Sequence, residues 1–206
     1  MPEIIFSDDS LVIANKPADM LSVPGKGPEK QDCLWRRVQQ KFPTARVVHR
    51  LDYATSGIMV LALTLESQRA LSIAFQNRDT SKRYKAIVAG SIGESEGSVE
   101  LPLRCDWENR PLQIVDFEQG KPALTHWRKV EETALGTRME LTPVTGRSHQ
   151  LRVHMQSMGH PIIGDRFYAK PDQIAASPRL LLHAEYLGFP HPVTSNWVEF
   201  NAECPF

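Results

Sequence analysis

The feature that most constrains this chain is the apolar run Ile58-Met59-Val60-Leu61-Ala62-Leu63, entered through Gly57. A short run with no polar interruption and with β-branched Ile58 and Val60 predicts a strand buried on both faces. The residues just before it are of the opposite character, His49-Arg50-Leu51-Asp52-Tyr53-Ala54-Thr55-Ser56. A carboxylate buried beside a core strand costs on the order of several kcal/mol unless it is paired. Two readings of Asp52 follow. It is a turn former, with Thr55 and Ser56 capping loop amides, or it is a carboxylate held at the edge of the core for chemistry.

The rest of the chain arranges itself around that strand. Ile4–Phe6 and Leu11–Lys16 predict two short strands joined by Ser7-Asp8-Asp9-Ser10, with Pro17 ending the second. A helix is expected from Asp32 as N-cap through Leu34, Val38 and Phe42. Another is expected over Ser67–Asn77, where Leu71, Ala74 and Phe75 share one face. Strands are expected at Lys82–Gly90, Ser98–Leu103 and Gln113–Phe117, with Arg104–Pro111 irregular. Pro122–Val130 and Arg138–Val144 read as a hairpin turned near Leu135-Gly136-Thr137. Thr145-Gly146-Arg147-Ser148 opens a further helix stopped by Gly159, and Leu180–Ala184 and Trp197–Asn201 close the chain as strands. Many strands and few helices without βαβ alternation predict an α+β fold, a large mixed and mostly antiparallel sheet flanked by helices and loops. The long connection Ile162–Pro178 is of a kind that often carries function.

With 206 residues, one large domain over 1–206 is expected. No apolar stretch approaches membrane-spanning length, and the N-terminus lacks a positively charged start and a signal-like core, so a cytoplasmic location is expected. Cys33, Cys105 and Cys204 form neither a disulfide framework nor a zinc spacing. His149 and His154 stand five apart, which does not put both on one helix face, and no metal is expected. The formal net charge is zero, which argues against a strongly electrostatic nucleic-acid binder without excluding a basic face.

Three distant segments hold residue types that would complete a carboxylate site. Arg147, at the start of the predicted helix, offers a guanidinium able to pair with Asp52 and keep it ionised. Tyr84 offers a ring for stacking and a hydroxyl for proton relay. Leu182, next to His183, offers an apolar wall for a planar group, although strand register leaves Leu180 as an equal choice. Each also has an ordinary structural reading: solvated helix-start arginine, half-buried strand aromatic, plain core.

These segments resemble the motifs of the RluA-type pseudouridine synthases, a family that isomerises uridine within RNA. The first motif is similar to His49-Arg50-Leu51-Asp52-x-x-Thr55-Ser56-Gly57 and the second to Lys82-x-Tyr84. The third resembles Gly146-Arg147-x-His149-Gln150-Leu151-Arg152-x-His154, and the fourth Arg179-Leu180-x-Leu182-His183-Ala184. They occur in the family's order. Cys105-Asp106-Trp107-x-Asn109-Arg110-Pro111, Gly120-Lys121-Pro122-Ala123 and Gly159–Tyr168 further resemble its dual-specificity branch. That branch acts on a transfer RNA anticodon-loop uridine and a 23S ribosomal RNA hairpin-loop uridine. It lacks an N-terminal S4-type RNA-binding domain, and this chain is expected to lack one too.

The resemblance implies that Asp52 is the essential carboxylate, acting either as a nucleophile or on a ribose proton. It implies that Tyr84 and Arg147 are its catalytic companions, and that no cofactor is needed. It implies substrate-binding roles for His49, Arg50, Thr55 and Leu182, with Arg50 filling the gap left by an extruded base. RNA is the implied partner; no obligate protein partner is evident. Two competing functions stand beside it. A nucleoside or glycoside hydrolase usually wants a second carboxylate in motif context, which is missing here. A non-catalytic RNA-binding module would use Arg50, Tyr84 and Arg147 for contacts alone.

Overall fold

In the computed structural model, which describes residues 2–206, the chain opens with an antiparallel pair, β1 (Glu3–Ser7) and β2 (Leu11–Lys16). Asp8 closes the turn by accepting the Ser10 and Leu11 amides at 2.7 and 2.9 Å. Helix α1 (Leu34–Gln39) is shorter than the sequence predicts. Its N-cap is Cys33 rather than Asp32, because Asp32 spends both carboxylate oxygens on Arg37, at 2.7 and 2.6 Å. A two-residue strand, β3 (Arg46–Val47), leads to β4 (Ser56–Ala62), which is buried at every position.

The reason is its pairing. One edge of β4 takes β2 along its whole length, from Leu11↔Ala62 to Lys16↔Gly57. β3 pairs antiparallel with Ala62 and Leu61, and β11 (Leu182–Pro190) pairs in parallel with Ser56 and Gly57. A strand with neighbours on both edges and cover on both faces needs apolar residues throughout. Gly57 is required at the entry. Its φ is 118°, and a Cβ there would lie 2.3 Å from the Ala184 carbonyl oxygen.

Helix α2 (Leu65–Asn77) follows, with Thr64 accepting the Ser67 amide as N-cap. Its Leu71 joins Leu11, Ile13, Ile58, Val60, Leu187 and Phe189 in one apolar cluster. Each such side chain contributes roughly 1.5–3 kcal/mol by leaving water. Thereafter come β5 (Ser81–Val88), β6 (Glu96–Glu100), β7 (Leu103–Cys105), β8 (Gln113–Val115), β9 (Leu124–Thr133) and β10 (Gly136–Pro143). Helix α3 (Gln150–Ser157), helix α4 (Pro171–Ala175), β11 and β12 (Trp197–Asn201) complete the chain.

The backbone divides into two compact units. One runs up to Lys82 and resumes over His183–Pro205, and the other is Arg83–Leu182 with Phe206. The first holds β1, β2, β4 and β3, with β11 and β12 as an antiparallel pair. In the second, β5, β10, β9 and β6 form an antiparallel series, and β7–β8 is a separate hairpin. The strands are mixed and mostly antiparallel with helices beside them, an α+β architecture as predicted. Among the described residues no helix is long and apolar enough to cross a membrane.

Candidate active site

In the first unit, the loop between β3 and β4 carries His49, Arg50, Asp52 and Thr55, and its backbone is tied down from behind. Ser22 grips Leu51 twice, its hydroxyl donating to the Leu51 carbonyl at 2.7 Å and accepting the Leu51 amide at 3.1 Å. On the other side of Asp52, the Tyr53 carbonyl accepts from the Met20 amide at 3.2 Å and from Lys16 Nζ at 3.0 Å. Lys16 has no exposed surface, and its ammonium also donates to the carbonyls of Pro17 and Met20, at 2.9 and 2.7 Å. A buried ammonium is tolerable only with such a set of acceptors. Asp52, half-buried, closes the tip by accepting the Thr55 amide on its backbone carbonyl at 3.2 Å. The residues on either side of the carboxylate are thus fixed by side chains the sequence places far away.

His49 opens the loop as an anchor. Its Nε2 accepts the Val60 amide of β4 at 3.1 Å, and its ring stacks on Phe75 of α2 at 4.6 Å between centroids. A ring nitrogen that accepts an amide is unprotonated. Burial, reinforced by the nearby Lys82 ammonium, pushes the His49 pKa down to about 3. Arg50 is exposed, whereas Thr55 is 3% exposed. Beyond the loop, the Ser56 hydroxyl meets His183 Nδ1 at 2.8 Å, and His183 Nε2 faces the Ala202 carbonyl at 3.3 Å. The serine therefore donates to Nδ1 while Nε2–H donates to the carbonyl.

The second unit holds Tyr84, Arg147 and Leu182 on three separate elements. Tyr84 is half-buried in β5, opposite Leu141 of β10. Leu182, at the start of β11, is 2% exposed, and Leu180 is equally covered. Arg147 does not open a helix. It lies in the turn before α3, whose N-cap is His149 at φ 52°. Arg147 is exposed, and its Nε donates to the Pro122 carbonyl at 3.1 Å. Gln150 organises the turn, accepting the Arg147 amide at 3.0 Å and the Thr145 hydroxyl at 2.7 Å while donating to Leu124 and Thr125.

The buried guanidinium of the same motif belongs to Arg152. Its Nε and Nη2 donate to the two oxygens of Asp165 at 2.7 and 2.6 Å, and it lies 5.1 Å from the ring centroids of Phe167 and Tyr168. Asp165 also accepts the Phe167 and Tyr168 amides. The Tyr168 hydroxyl in turn meets His149 Nδ1 at 2.7 Å and accepts the Gln113 amide of β8 at 2.9 Å.

Sequence reasoning missed Lys16, Ser22 and this Arg152–Asp165 pair as organisers. A signal existed for Arg152: it stands between Leu151 and Val153 in a helix whose residues from Gln150 to Met155 are all buried. A charge amid such neighbours demands a partner. For Lys16 the only signal is a charge ending an apolar strand before Pro17.

Comparisons with known proteins bear on this arrangement. Residues 10–157 match the family model described as RNA pseudouridylate synthase. The chain is 49% identical over 205 residues to the dual-specificity RNA pseudouridine synthase RluA of Pasteurella multocida, covering 99% of this chain and 94% of that protein. It is 51% identical over 204 residues to the protein of the same name from Escherichia coli strain K12, covering 98% and 93%. Among solved structures, human RNA pseudouridylate synthase domain containing 1 aligns with a TM-score of 0.84 at 30% identity, covering 100% of this chain and 84% of that one. Human RNA pseudouridylate synthase domain containing 4 aligns at 0.77 and 25% identity, covering 98% and 88%. A family model spanning most of the chain, and relatives half identical along nearly its whole length, make this chain a member of the RNA pseudouridylate synthase family.

Proposed function

We propose that this isomerase converts uridine to pseudouridine in two kinds of stem-loop, a transfer RNA anticodon loop and a 23S ribosomal RNA hairpin, with Asp52 as its essential carboxylate. The observation that carries the assignment to Asp52 is the loop around it. Ser22 holds the residue before it, and Lys16 with Met20 holds the residue after it. Such anchoring aims a carboxylate and prevents the loop from relaxing around it.

The chemistry breaks the N1–C1′ bond of uridine, turns the base, and forms a C5–C1′ bond. The proton on C5 leaves and N1 gains one, so the reaction is redox-neutral and balanced. Asp52 serves either by attacking C1′ or by removing a ribose proton, and both roles need it ionised. A base within a folded loop must leave its stack to be turned, at a few kcal/mol. Tyr84 and Arg147 are assigned to turnover, Tyr84 offering a stacking ring and a hydroxyl for the C5 proton. His49, Arg50, Thr55 and Leu182 are assigned to substrate binding and to the shape of the loop. The enzyme works in the cytoplasm, where both RNAs are made, as a single catalytic domain.

The experiment is direct. An anticodon stem-loop and a 23S hairpin, each with one target uridine, are incubated with the enzyme and digested to nucleosides. Pseudouridine is expected from both. Pseudouridine from only one would reduce the proposal to single specificity, and free uracil would replace it with a hydrolase. Tyr84→Phe is expected to bind either RNA as wild type does and to slow single-turnover conversion. Conversion at the wild-type rate would remove Tyr84 from the mechanism.

A further inference from the structure

The second motif contains a lysine for which the mechanism has no use. Lys82 is half-buried in β5, two positions before Tyr84. The preceding helix α2 ends at Asn77, and Arg78 caps it in the left-handed region at φ 66°. Glycine is usual at that position, and any other residue is strained there. The Arg78 side chain reaches solvent, and Phe75, in the last turn of α2, carries the stacked ring of His49. Lys82 follows a few residues after Arg78, at the start of β5, and its charge acts on His49, so Arg78, Lys82 and His49 gather near the C-terminal end of one helix.

The electrostatics of this cluster are one-sided. Burial lowers the Lys82 pKa, and the Arg78 charge lowers it further. Among the described residues, neither Lys82 nor Arg78 makes an ion pair or a side-chain hydrogen bond. Asp79, which follows Arg78, is exposed and pairs with neither. Thr80 itself has a solvent-shielded hydroxyl with no hydrogen-bond partner. Several other cations of the chain are matched to acids: Arg37 to Asp32, Arg104 to Asp116, Lys85 and Arg128 to Glu140, Arg152 to Asp165. Cations also favour helix C-termini for the sake of the end carbonyls. Here backbone amides already take those of Ala74 and Phe75, from Arg78 and from Asp79. Two neighbouring cations, one half-buried and one exposed, without a counter-charge are in an arrangement that an anion relieves.

We propose that Lys82 and Arg78, beside His49, form a binding site for a phosphodiester of the RNA backbone. This rests on the reading of the chain as an RNA-modifying enzyme and adds where the strand is gripped. The ligand class follows from the chemistry: two monovalent cations with five or more N–H donors match the oxygens of a phosphodiester. His49 uses Nε2 to accept from Val60, which leaves Nδ1–H as the ring's remaining donor. The site is blind to sequence, as backbone contacts are.

The test uses the 206-residue chain carrying Asp52→Asn, so that binding is read without turnover, and an anticodon stem-loop titrated across a series of salt concentrations. Arg78→Gln and Lys82→Gln are each expected to weaken binding roughly 3–10-fold, alike for different stem-loops, and to lower the slope of log K against log salt by about one. Lys82→Arg is expected to keep the slope. Arg78 is exposed, so Arg78→Gln reads the site even if Lys82→Gln folds poorly. Slopes unchanged in both Gln variants, with the parent protein still binding RNA, would overturn this site alone. A parent protein that binds no stem-loop would overturn the functional reading and this site with it.

Discussion

Two irregular segments of this molecule are built in opposite ways. The loop carrying Asp52 is held by residues remote in the chain: Lys16 reaches Tyr53, Ser22 reaches Leu51, and His49 reaches back from Val60 and Phe75. The tip of the β7–β8 hairpin is held by its own neighbours. Asp106 binds Asn109 at 2.9 Å, and the Arg110 guanidinium lies 4.0 Å from the ring centroid of Trp107, which is 64% exposed. A locally closed tip needs only its own residues to keep its shape, whereas the Asp52 loop borrows its shape from the core. The locally closed tip suits an exposed surface. The borrowed shape suits a carboxylate that must point one way.

Substitutions that separate the two kinds of anchoring test this contrast. The largest effect belongs to Lys16→Met. It removes the charge, takes the Lys16 donor from the Pro17 and Met20 carbonyls and leaves the Tyr53 carbonyl with only the Met20 amide, so a loss of about 3 kcal/mol or more is expected in urea unfolding. Loss below about 1 kcal/mol would mean that the buried ammonium is not an anchor. Ser22→Ala comes next, at about 1–2 kcal/mol, with turnover falling more than substrate affinity because the aim of Asp52 is loosened. A rise in KM alone would contradict that.

His49 gives a pH-dependent version of the same test. Unfolded, it takes up a proton as pH falls through 6.5, while the folded ring resists until about 3. The unfolded chain therefore binds more protons in between, and stability is complete above pH 6.5 and is lost progressively as the solution is acidified across that window. His49→Phe is expected to flatten the dependence of unfolding free energy on pH between 6.5 and 3, relative to wild type. An unchanged slope would show that His49 is protonated in the fold. The smallest effect is reserved for the other segment: Trp107→Ala is expected to change stability by no more than about 0.5 kcal/mol. A larger loss would erase the distinction between the segments.

What was legible in the sequence follows the same division. Strand β4 and helix α2 declared themselves, because burial on every face and a 3–4 spacing are local patterns. The four motifs pointed to the loop and to Tyr84, Arg147 and Leu182 as residue types. Local capping was misread where a side chain had a better partner, as Asp32 has in Arg37. The helix that Thr145–Ser148 is expected to open starts only at Gln150, since Gln150 and His149 reshape the turn. The sequence predicts an irregular Arg104–Pro111, yet Arg104 and Cys105 pair with Ile114 and Gln113 in the β7–β8 ladder. Within Ile162–Pro178, helix α4 was not foreseen. Lys16 carries only a faint signal, for a deeper reason. A lysine is ordinarily solvated, and the Tyr53 carbonyl that helps to bury it lies 37 residues away.

We propose that the carboxylate aimed by this loop carries the isomerisation. The most direct measurement is release of tritium from 5-tritiated uridine in a stem-loop, compared between wild type and Asp52→Asn at equal RNA occupancy. The account predicts release by wild type and a fall on the order of 10³-fold or more in the variant, with RNA still bound. Release at the wild-type rate from Asp52→Asn would contradict it.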